Sequence, residues 1–344
     1  MRHTVAAQGA RSHGPRAGVR TRRADPKSVL ARPPCRPVIE PTDGPTDGEG
    51  AVTPTPEIDT STPHSARVYD YWLNGKNNYE ADAEAARRVS EIWPTVRVGA
   101  QLNRAFMHRA TRWLAAEAGI RQFLDVGTGI PTEPNLHQVA QSVAPEARVL
   151  YADNDPIVLQ YAQALLHSAP EGRTAYLHAD VTRPQDILES PELRETLDLG
   201  EPVALSLIAL LHLISDERGA YEIVRTLVDA LPSGSYVMLT HATDDLDPEL
   251  MARVATFYES SVTGGGQLRS KEGVLRFFDG LELVEPGLVV AHRWRPELNL
   301  TDDAYKPRAV AEDGEADEPE EAVVPEREVS DAELSVYGGV ARKP

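Results

Sequence analysis

Apolar runs of five or six residues recur through the middle of the chain, and segments with helical patterns separate them. The runs have the length and the flanking turn residues that are typical of buried strands. They predict strands over residues 121–126, 148–152, 174–178, 203–208 and 235–240. Regular alternation of strand and helix predicts an α/β fold, with a mostly parallel sheet covered by helices on both faces.

Three of the helices between these strands have recognisable first residues. Thr132 is predicted to cap the first helix, and Asp155 the second, with Pro156 at its first position. The third helix is predicted over residues 216–230, after Ser215 as its cap. Apolar residues at helical spacing in each segment predict one face that packs on the sheet.

Two further apolar runs, residues 281–285 and 288–292, are joined by only Pro286 and Gly287. This connection is too short for the crossover that parallel strands need. We therefore expect the two runs to pair as an antiparallel hairpin at an edge of the sheet.

The ends of the chain differ in composition from its middle. Residues 1–60 are first basic, then rich in Pro, Thr, Gly and acids, and they lack periodic apolar positions, so we expect disorder. Their basic part is interpreted as a solvating tail or a translated upstream extension rather than as a nucleic-acid or membrane contact. Residues 61–118 are predicted to form a helical cap, 119–300 the ligand-binding core, and 301–333 an acidic linker. Residues 334–344 regain apolar and glycine character, and we expect them to dock on the core.

Charge and cysteine content exclude several classes of function. The formal net charge of −18 argues against binding of nucleic acid or anionic lipid, because both need a local excess of Lys and Arg. The single cysteine, Cys35, allows neither an intramolecular disulfide nor a cysteine metal cluster, and it fits a cytoplasmic location. The longest apolar run, residues 203–214, is about half the roughly 20 residues that a membrane-spanning helix needs. A small-molecule or protein partner is favoured.

The stretch FLDVGTGIPT, residues 123–132, reads as a buried strand that ends in a glycine turn. In an open α/β sheet, ligands bind beyond the carboxyl ends of the strands. Gly127 and Gly129 permit positive φ and close approach of a ligand to the backbone. Asp153 follows the second strand and suits the hydroxyls of a ribose, while Asp180 and Val181 follow the third and suit an adenine ring. The sequence therefore predicts a site for a molecule that contains adenosine.

The residues around the turn favour S-adenosylmethionine (SAM) over a dinucleotide. A dinucleotide needs a third glycine, so that a helix N-terminus can approach the pyrophosphate, and Thr132 stands at that position. SAM has no phosphate, and its sulfonium and ammonium groups suit an acid such as Asp125. A nicotinamide dinucleotide protein remains a weaker alternative.

Several motifs resemble an actinobacterial family of S-adenosyl methyltransferases. They are SARVYDYWLNGKNNYEAD, QLNRAFMHRA, FLDVGTGIPT, VLYADNDPIVL, AHRWRPE and YGGVARKP, in chain order. The resemblance implies methyl transfer from SAM and the Rossmann-like class I methyltransferase fold, with a seven-stranded, mostly parallel sheet and an antiparallel last strand. It departs from the common methyltransferase pattern at Pro131, where that pattern has glycine. The cofactor-binding residues that it implies are Asp125, Gly127, Thr128, Gly129, Asp153, Asn154, Asp180, Val181 and Ile208.

The motif at residues 65–82 combines flat aromatic surface with polar groups beside Gly75. This composition is typical of a lid over a ligand, which we favour, although a helix that simply caps the sheet edge has the same features. The residues predicted to face the substrate are Arg67, Tyr69, Asp70, Tyr71, Asn74 and Asn78.

The candidate catalytic groups are His212, His241 and Tyr71. His212 follows the fourth strand, where a general base could act near neutral pH, although a structural histidine fits the same position. The turn after that strand lacks the Asn/Asp-Pro-Pro-aromatic sequence of enzymes that methylate amino groups of bases, which favours a small-molecule acceptor. Because the histidines lack paired spacing, no metal is assigned. A SAM-binding protein without catalytic activity is the alternative.

Overall fold

The computed structural model describes residues 59–165, 168–261, 265–299 and 329–344, and all of them belong to one unit, Thr55–Pro344. The predicted disordered tail and the predicted acidic linker lie almost entirely outside the described residues. The helices, in chain order, are α1 (Ser65–Trp72), α2 (Glu80–Ile92), α3 (Val96–Ala116), α4 (Leu136–Val143), α5 (Pro156–Leu165), α6 (Pro184–Leu188), α7 (Pro191–Thr196), α8 (Ala220–Asp229), α9 (Pro248–Ser261), α10 (Lys271–Leu275) and α11 (Asp331–Leu334). The strands are β1 (Gln122–Val126), β2 (Arg148–Asp153), β3 (Arg173–His178), β4 (Ala204–Leu207), β5 (Tyr236–Ala242), β6 (Glu282–Leu283), β7 (Val289–Val290) and β8 (Val336–Arg342).

The strands form one sheet in the order β3-β2-β1-β4-β5-β8-β6, and β7 also pairs with β8. The pairs among β1 to β5 are parallel, whereas β8 runs antiparallel to β5. Every residue of β1 is buried, as its apolar sequence and central position require. The predicted fold class is therefore confirmed: the sheet is mostly parallel, its last strand along the chain is antiparallel, and helices surround it.

The predicted hairpin of residues 281–285 and 288–292 is wrong. β6 and β7 do not pair with each other; both pair antiparallel with β8, through Leu283 opposite Ala341 and Val289 opposite Gly338. They are two pieces of one interrupted edge strand. Their partner, β8, lies about 50 residues further along the chain. The short connection between the two runs carries no information about such a distant partner.

Two predicted helix starts also need correction. Asn135, not Thr132, precedes α4, and its N–H donates to Gln138 Oε1 at 2.6 Å. The helix predicted from residue 216 begins as the 3₁₀ turn Asp216–Arg218, and the α-helix starts only after Gly219, whose φ of 79° interrupts the helical path.

The N-terminal helices build a second apolar cluster beside the main core. Val68, Trp72 and Val89 pack there with Met251 and Val254 of α9. On the other side, α3 approaches β8 closely, because a β-carbon on Gly338 would lie 3.0 Å from the Phe106 ring. Within the described ranges, none of the helices is both long and apolar enough to cross a membrane.

Candidate functional site

The glycine turn after β1 has a filled side and an open side. Gly127 and Gly129 both have positive φ, 73° and 68°, where other residues are strained. A β-carbon on Gly127 would lie 2.7 Å from Leu210 Cδ1, whereas one on Gly129 would meet no atom within 4 Å. Gly127 is therefore required by packing against the segment after β4. The surface above Gly129 is the part of the turn that a ligand can approach.

Asp153, at the end of β2, is joined to this turn by hydrogen bonds. Its Oδ2 accepts from the N–H of Gly129 at 2.8 Å, and its Oδ1 accepts from the N–H of Asp155 at 2.9 Å. Burial raises the pKa of this carboxyl. The acid predicted to hold a ribose is thus fixed beside the glycine turn, at the carboxyl edge of the sheet.

Asp125 is the buried acid of the same turn. Its strand neighbours are Tyr151 on β2 and Ser206 on β4, and only 8 % of the residue is exposed. Burial raises the pKa of Asp125 to about 6, against the opposing charge of Arg104. Since desolvation penalises an isolated carboxylate, a cationic ligand group would stabilise its ionised form.

The residues predicted to flank an adenine lie at the ends of β2 and β3. Asp180 Oδ1 accepts from the N–H of Thr182 at 2.9 Å, and Val181 is buried. The side chain of Asn154 is exposed, while its carbonyl contacts His178 Nε2 at 3.0 Å. Because β2 and β3 are parallel neighbours, these residues lie at the same sheet edge as the glycine turn.

The chain turns sharply after β4. Ile208 is half-buried, and Ala209 follows it with a φ of 53°. The N–H of Ala209 donates to Thr240 Oγ1 on β5 at 2.9 Å, which fixes the start of the turn. Thr240 has no distinguishing signal in the sequence, since its role depends on a neighbouring strand.

His212 lies in the 3₁₀ turn Leu211–Leu213 that follows and is half-buried. Its Nδ1 is enclosed and has no hydrogen-bond partner among the described residues. Burial, and then the charge of Arg269, lower the pKa of His212 to about 4. The imidazole is therefore neutral at physiological pH, and its low pKa makes it a weak base.

His241, on β5, is fully buried and has both ring nitrogens engaged. Nδ1 contacts the carbonyl of Ala242 at 2.6 Å, and Nε2 contacts Arg269 Nη1 at 2.7 Å. Since an arginine only donates, Nε2 accepts and Nδ1 carries the proton. The ring centroid lies 5.7 Å from that of His212. Of the two histidines, His212 alone keeps a ring nitrogen without a partner.

Arg269 holds the His212 turn in place, although its side chain is almost fully buried. Its guanidinium binds Asp216 Oδ1 through Nη2 at 2.7 Å and through Nε at 3.0 Å. It also donates to the carbonyls of Leu211 and Ile214, at 3.0 and 2.8 Å. Sequence reasoning missed this residue because nothing local distinguishes a buried arginine from an exposed one.

Arg67, predicted to face a substrate, links α1 to the end of β2. It is buried, and its Nε donates to Asp155 Oδ2 at 3.1 Å. Its Nη1 donates to the carbonyl of Asp59 at 3.0 Å. Because Asp155 is the neighbour that donates to Asp153, this contact connects the N-terminal helices to the glycine turn.

Asp70 and Asn78 organise the loop after α1. Asp70 is buried, and its Oδ2 accepts from the N–H of Asn77 at 3.0 Å and from Asn78 Nδ2 at 2.8 Å. Burial raises the pKa of this carboxyl. Both side chains therefore stabilise the segment itself.

The remaining three residues of the predicted lid contact α3. Tyr69 donates to the carbonyl of Ala100 at 3.0 Å, and Asn74 Oδ1 accepts from Arg97 at 3.3 Å. The guanidinium of Arg97 also lies 4.6 Å from the ring centroid of Tyr71, which is half-buried. Through these contacts the segment packs on α3.

Helix α3 connects three of the motifs in the sequence. Arg104 donates to the carbonyls of Thr132 and Pro134, and His108 Nε2 contacts the same Pro134 carbonyl at 2.9 Å. One turn further along, Arg109 donates to the carbonyls of Trp294 and Ala291 at 2.8 and 2.7 Å. QLNRAFMHRA therefore holds both the IPT segment of the turn and the AHRWRPE segment near β7.

Comparison with known proteins assigns the chain. The sequence profile of the S-adenosyl methyltransferase family matches residues 51–344. The chain belongs to the S-adenosyl methyltransferase family. The structure of a DUF574 family protein from Streptomyces avermitilis is 49 % identical, with a TM-score of 0.73, over 84 % of this chain and 100 % of that one. A candidate methyltransferase from Thermobifida fusca is 38 % identical, with a TM-score of 0.69, over 85 % and 99 %. No curated protein matches the sequence.

The cofactor of this S-adenosyl methyltransferase is SAM, and the site fits it. Asp125 is a buried acid whose carboxylate a cation would stabilise. The space above Gly129 is open, and the carboxylate of Asp153 is hydrogen-bonded to the N–H of Gly129. The helix after the turn begins only at Leu136, so its N-terminus is not held at the glycines as a pyrophosphate site requires. Within the described residues, no cluster of three His, Cys, Asp or Glu side chains could hold a metal ion.

Proposed function

We propose that this S-adenosyl methyltransferase transfers the methyl group of SAM to a small-molecule acceptor. The hydrogen bond between Gly129 and Asp153 is the observation that supports this most directly, because it unites the turn and the acid at the edge where α/β sheets bind ligands. When bound, SAM supplies a methyl group already activated by its sulfonium. The chain therefore needs mainly to align the acceptor with that group.

The acids of the site have separate roles in this proposal. Asp125 faces the cationic methionine end of the cofactor, which offsets the desolvation of its carboxylate. Asp153 accepts from the ribose hydroxyls, and its existing bonds to Gly129 and Asp155 keep the carboxylate oriented. Asp180 and Val181 flank the adenine.

His212 is the group that we propose for the acceptor side. It is neutral at physiological pH, and its Nδ1 lacks a hydrogen-bond partner among the residues that the structure describes. With a pKa of about 4 it is a weak base, so it takes the proton of an acceptor hydroxyl or amine only in transit to water. His241 positions the turn through Arg269 and takes no proton, because both of its nitrogens are engaged.

The acceptor that fits best is small and either uncharged or cationic. The net charge of −18 repels anions such as nucleic acids. The turn after β4 is Ala209-Leu210-Leu211, which cannot hold a base amino group as an Asn/Asp-Pro-Pro-aromatic turn does. A SAM-binding protein without catalysis is the second candidate, because the scaffold contacts of Arg67, Tyr69 and Asp70 leave fewer groups for a substrate.

Calorimetric titration of the full chain with SAM, S-adenosylhomocysteine and NAD tests the cofactor site. We expect binding of both sulfur compounds and none of NAD; the reverse preference would reject both candidates. Incubation with methyl-labelled SAM and a pool of small metabolites then separates them. Label transfer that is lost in His212→Gln supports the enzyme, whereas binding without any transfer supports the non-catalytic protein.

A further inference from the structure

Arg104 on α3 is a cation without an ion-pair partner among the described residues. Its Nη2 donates to the carbonyls of Thr132 and Pro134, the second at 3.0 Å. Its Nε is enclosed without a partner, while its Nη1 donates to no described residue and remains accessible. The guanidinium is thus held at one nitrogen and available at another.

This cation acts on the acid of the glycine turn. The charge of Arg104 opposes the burial that raises the pKa of Asp125. It also opposes the burial that raises the pKa values of Tyr151 on β2 and Tyr176 on β3, whose stacked ring centroids lie 4.9 Å apart. The geometry agrees, because Arg104 contacts the carbonyls of Thr132 and Pro134, in the segment that follows Asp125 at the end of β1. The two side chains form no ion pair with each other.

A positive and a negative side chain held apart at one turn are complementary to an α-amino acid group, which carries an ammonium and a carboxylate. We propose that Arg104 binds the carboxylate of the methionine end of SAM, while Asp125 faces the ammonium. The proposal rests on the SAM site of the proposed function. Arginine suits this role because its planar guanidinium forms strong charge-assisted hydrogen bonds with carboxylates.

The proposal also explains why residues 130–134 need no third glycine. The carbonyls of Thr132 and Pro134 orient the guanidinium, so this segment presents a cation where a dinucleotide site presents a helix N-terminus. His108 contacts the same Pro134 carbonyl without a charge, because burial lowers its pKa to about 3. A purely structural role for Arg104 would be to tether this segment, as His108 does.

Ligand truncation separates the two roles. We would titrate the full-length protein and its Arg104→Gln, Arg104→Lys and His108→Gln variants with SAM, S-adenosylhomocysteine and 5′-methylthioadenosine, which lacks the amino acid group. If Arg104 binds the carboxylate, Arg104→Gln weakens binding of SAM and S-adenosylhomocysteine by about 10- to 100-fold and leaves methylthioadenosine unchanged. Arg104→Lys keeps a cation and therefore retains part of the preference for SAM over methylthioadenosine. His108→Gln changes all three affinities by the same factor.

Three results would overturn the proposal. A folded Arg104→Gln variant that binds all three ligands more weakly by the same factor would make Arg104 a tether. Alternatively, if that variant does not fold, the wild-type protein decides: equal affinity for SAM and its carboxyl methyl ester would exclude a contact with the carboxylate. Failure of the wild-type protein to bind either SAM or methylthioadenosine would instead reject the proposed function, and this inference with it.

Discussion

The backbone N–H of Gly129 donates a hydrogen bond to Asp153 Oδ2 at 2.8 Å, so the glycine turn of β1 and the acid of β2 form one unit. We predict that Asp153→Ala weakens SAM binding by about 1.5–3 kcal/mol, since it removes a charge-assisted acceptor and leaves two N–H groups unpaired. Asp153→Asn, which keeps one acceptor oxygen, should lose less. Calorimetric titration measures both, and unchanged affinity in Asp153→Ala would contradict the ribose role.

The two glycines of the turn should respond differently to alanine. Gly127→Ala adds a clash with Leu210 at 2.7 Å to the strain of its positive φ, so we expect a loss of about 2–3 kcal/mol in the free energy of unfolding. Gly129→Ala meets no atom within 4 Å and should cost only about 1 kcal/mol, but it should abolish SAM binding by filling the open side. Urea unfolding and titration separate these effects. Leu210→Ala should restore part of the stability of Gly127→Ala, and no restoration would contradict the packing role.

The carboxyl of Asp125 should make stability depend on pH. Its pKa is about 6 in the folded protein, against the ordinary value of 3.8 that it has in the unfolded chain. Between about pH 4 and 6 the folded state therefore binds the proton more tightly than the unfolded state does. Stability from this group is therefore lost as the pH rises through that window, by on the order of 3 kcal/mol. Asp125→Asn removes this loss and should be more stable than the wild type at pH 7 but not at pH 4.

Urea unfolding at several pH values checks this prediction, with the exposed Asp186→Asn as a control that should follow the wild-type curve. In the presence of SAM we expect the loss of stability between about pH 4 and 6 to disappear, because the bound cation stabilises the ionised carboxylate of Asp125. A wild-type curve parallel to that of Asp125→Asn would contradict the assignment.

Arg269 should be indispensable for the His212 turn. Its removal leaves His241 and the carbonyls of Leu211 and Ile214 without their buried donor, which costs about 1–3 kcal/mol for such unpaired groups. Asp216 adds little to this cost, because its side chain is 44 % exposed and can be hydrated. We expect Arg269→Met to lower the thermal midpoint strongly, and Arg269→Lys to lower it less. The exposed Arg225→Met is a suitable control. A midpoint within one or two degrees of wild type would show that the turn is held by other contacts.

Much of the site could be predicted because it depends on strand order and strand ends. The predicted strands over residues 121–126 and 148–152 differ from β1 and β2 by only a residue at an end. Because β1 and β2 are parallel and adjacent, their carboxyl ends, with Asp125 and Asp153, lie at the same edge of the sheet. No information beyond the strand positions is needed to predict this. The family resemblance and the SAM cofactor are confirmed, whereas the individual residue roles stay predictions.

The arginines could not be predicted, because their partners are distant in the sequence. Arg67 meets Asp155 across 88 positions, and Arg269 meets Asp216 across 53. The sequence predicts that Arg67 faces a substrate and does not single out Arg269, because neither partner can be identified from the local sequence. The hairpin failed for the same reason, since the true partner of β6 and β7 is β8.

The place of β8 has a consequence for biosynthesis. Because β8 lies between β5 and the β6/β7 edge, β5 has an unpaired edge and β6 and β7 have no partner strand until residues 336–342 have been synthesised. An unpaired strand edge of this kind invites aggregation until its partner covers it. Closure of this side of the sheet therefore waits until residues 336–342 have left the ribosome.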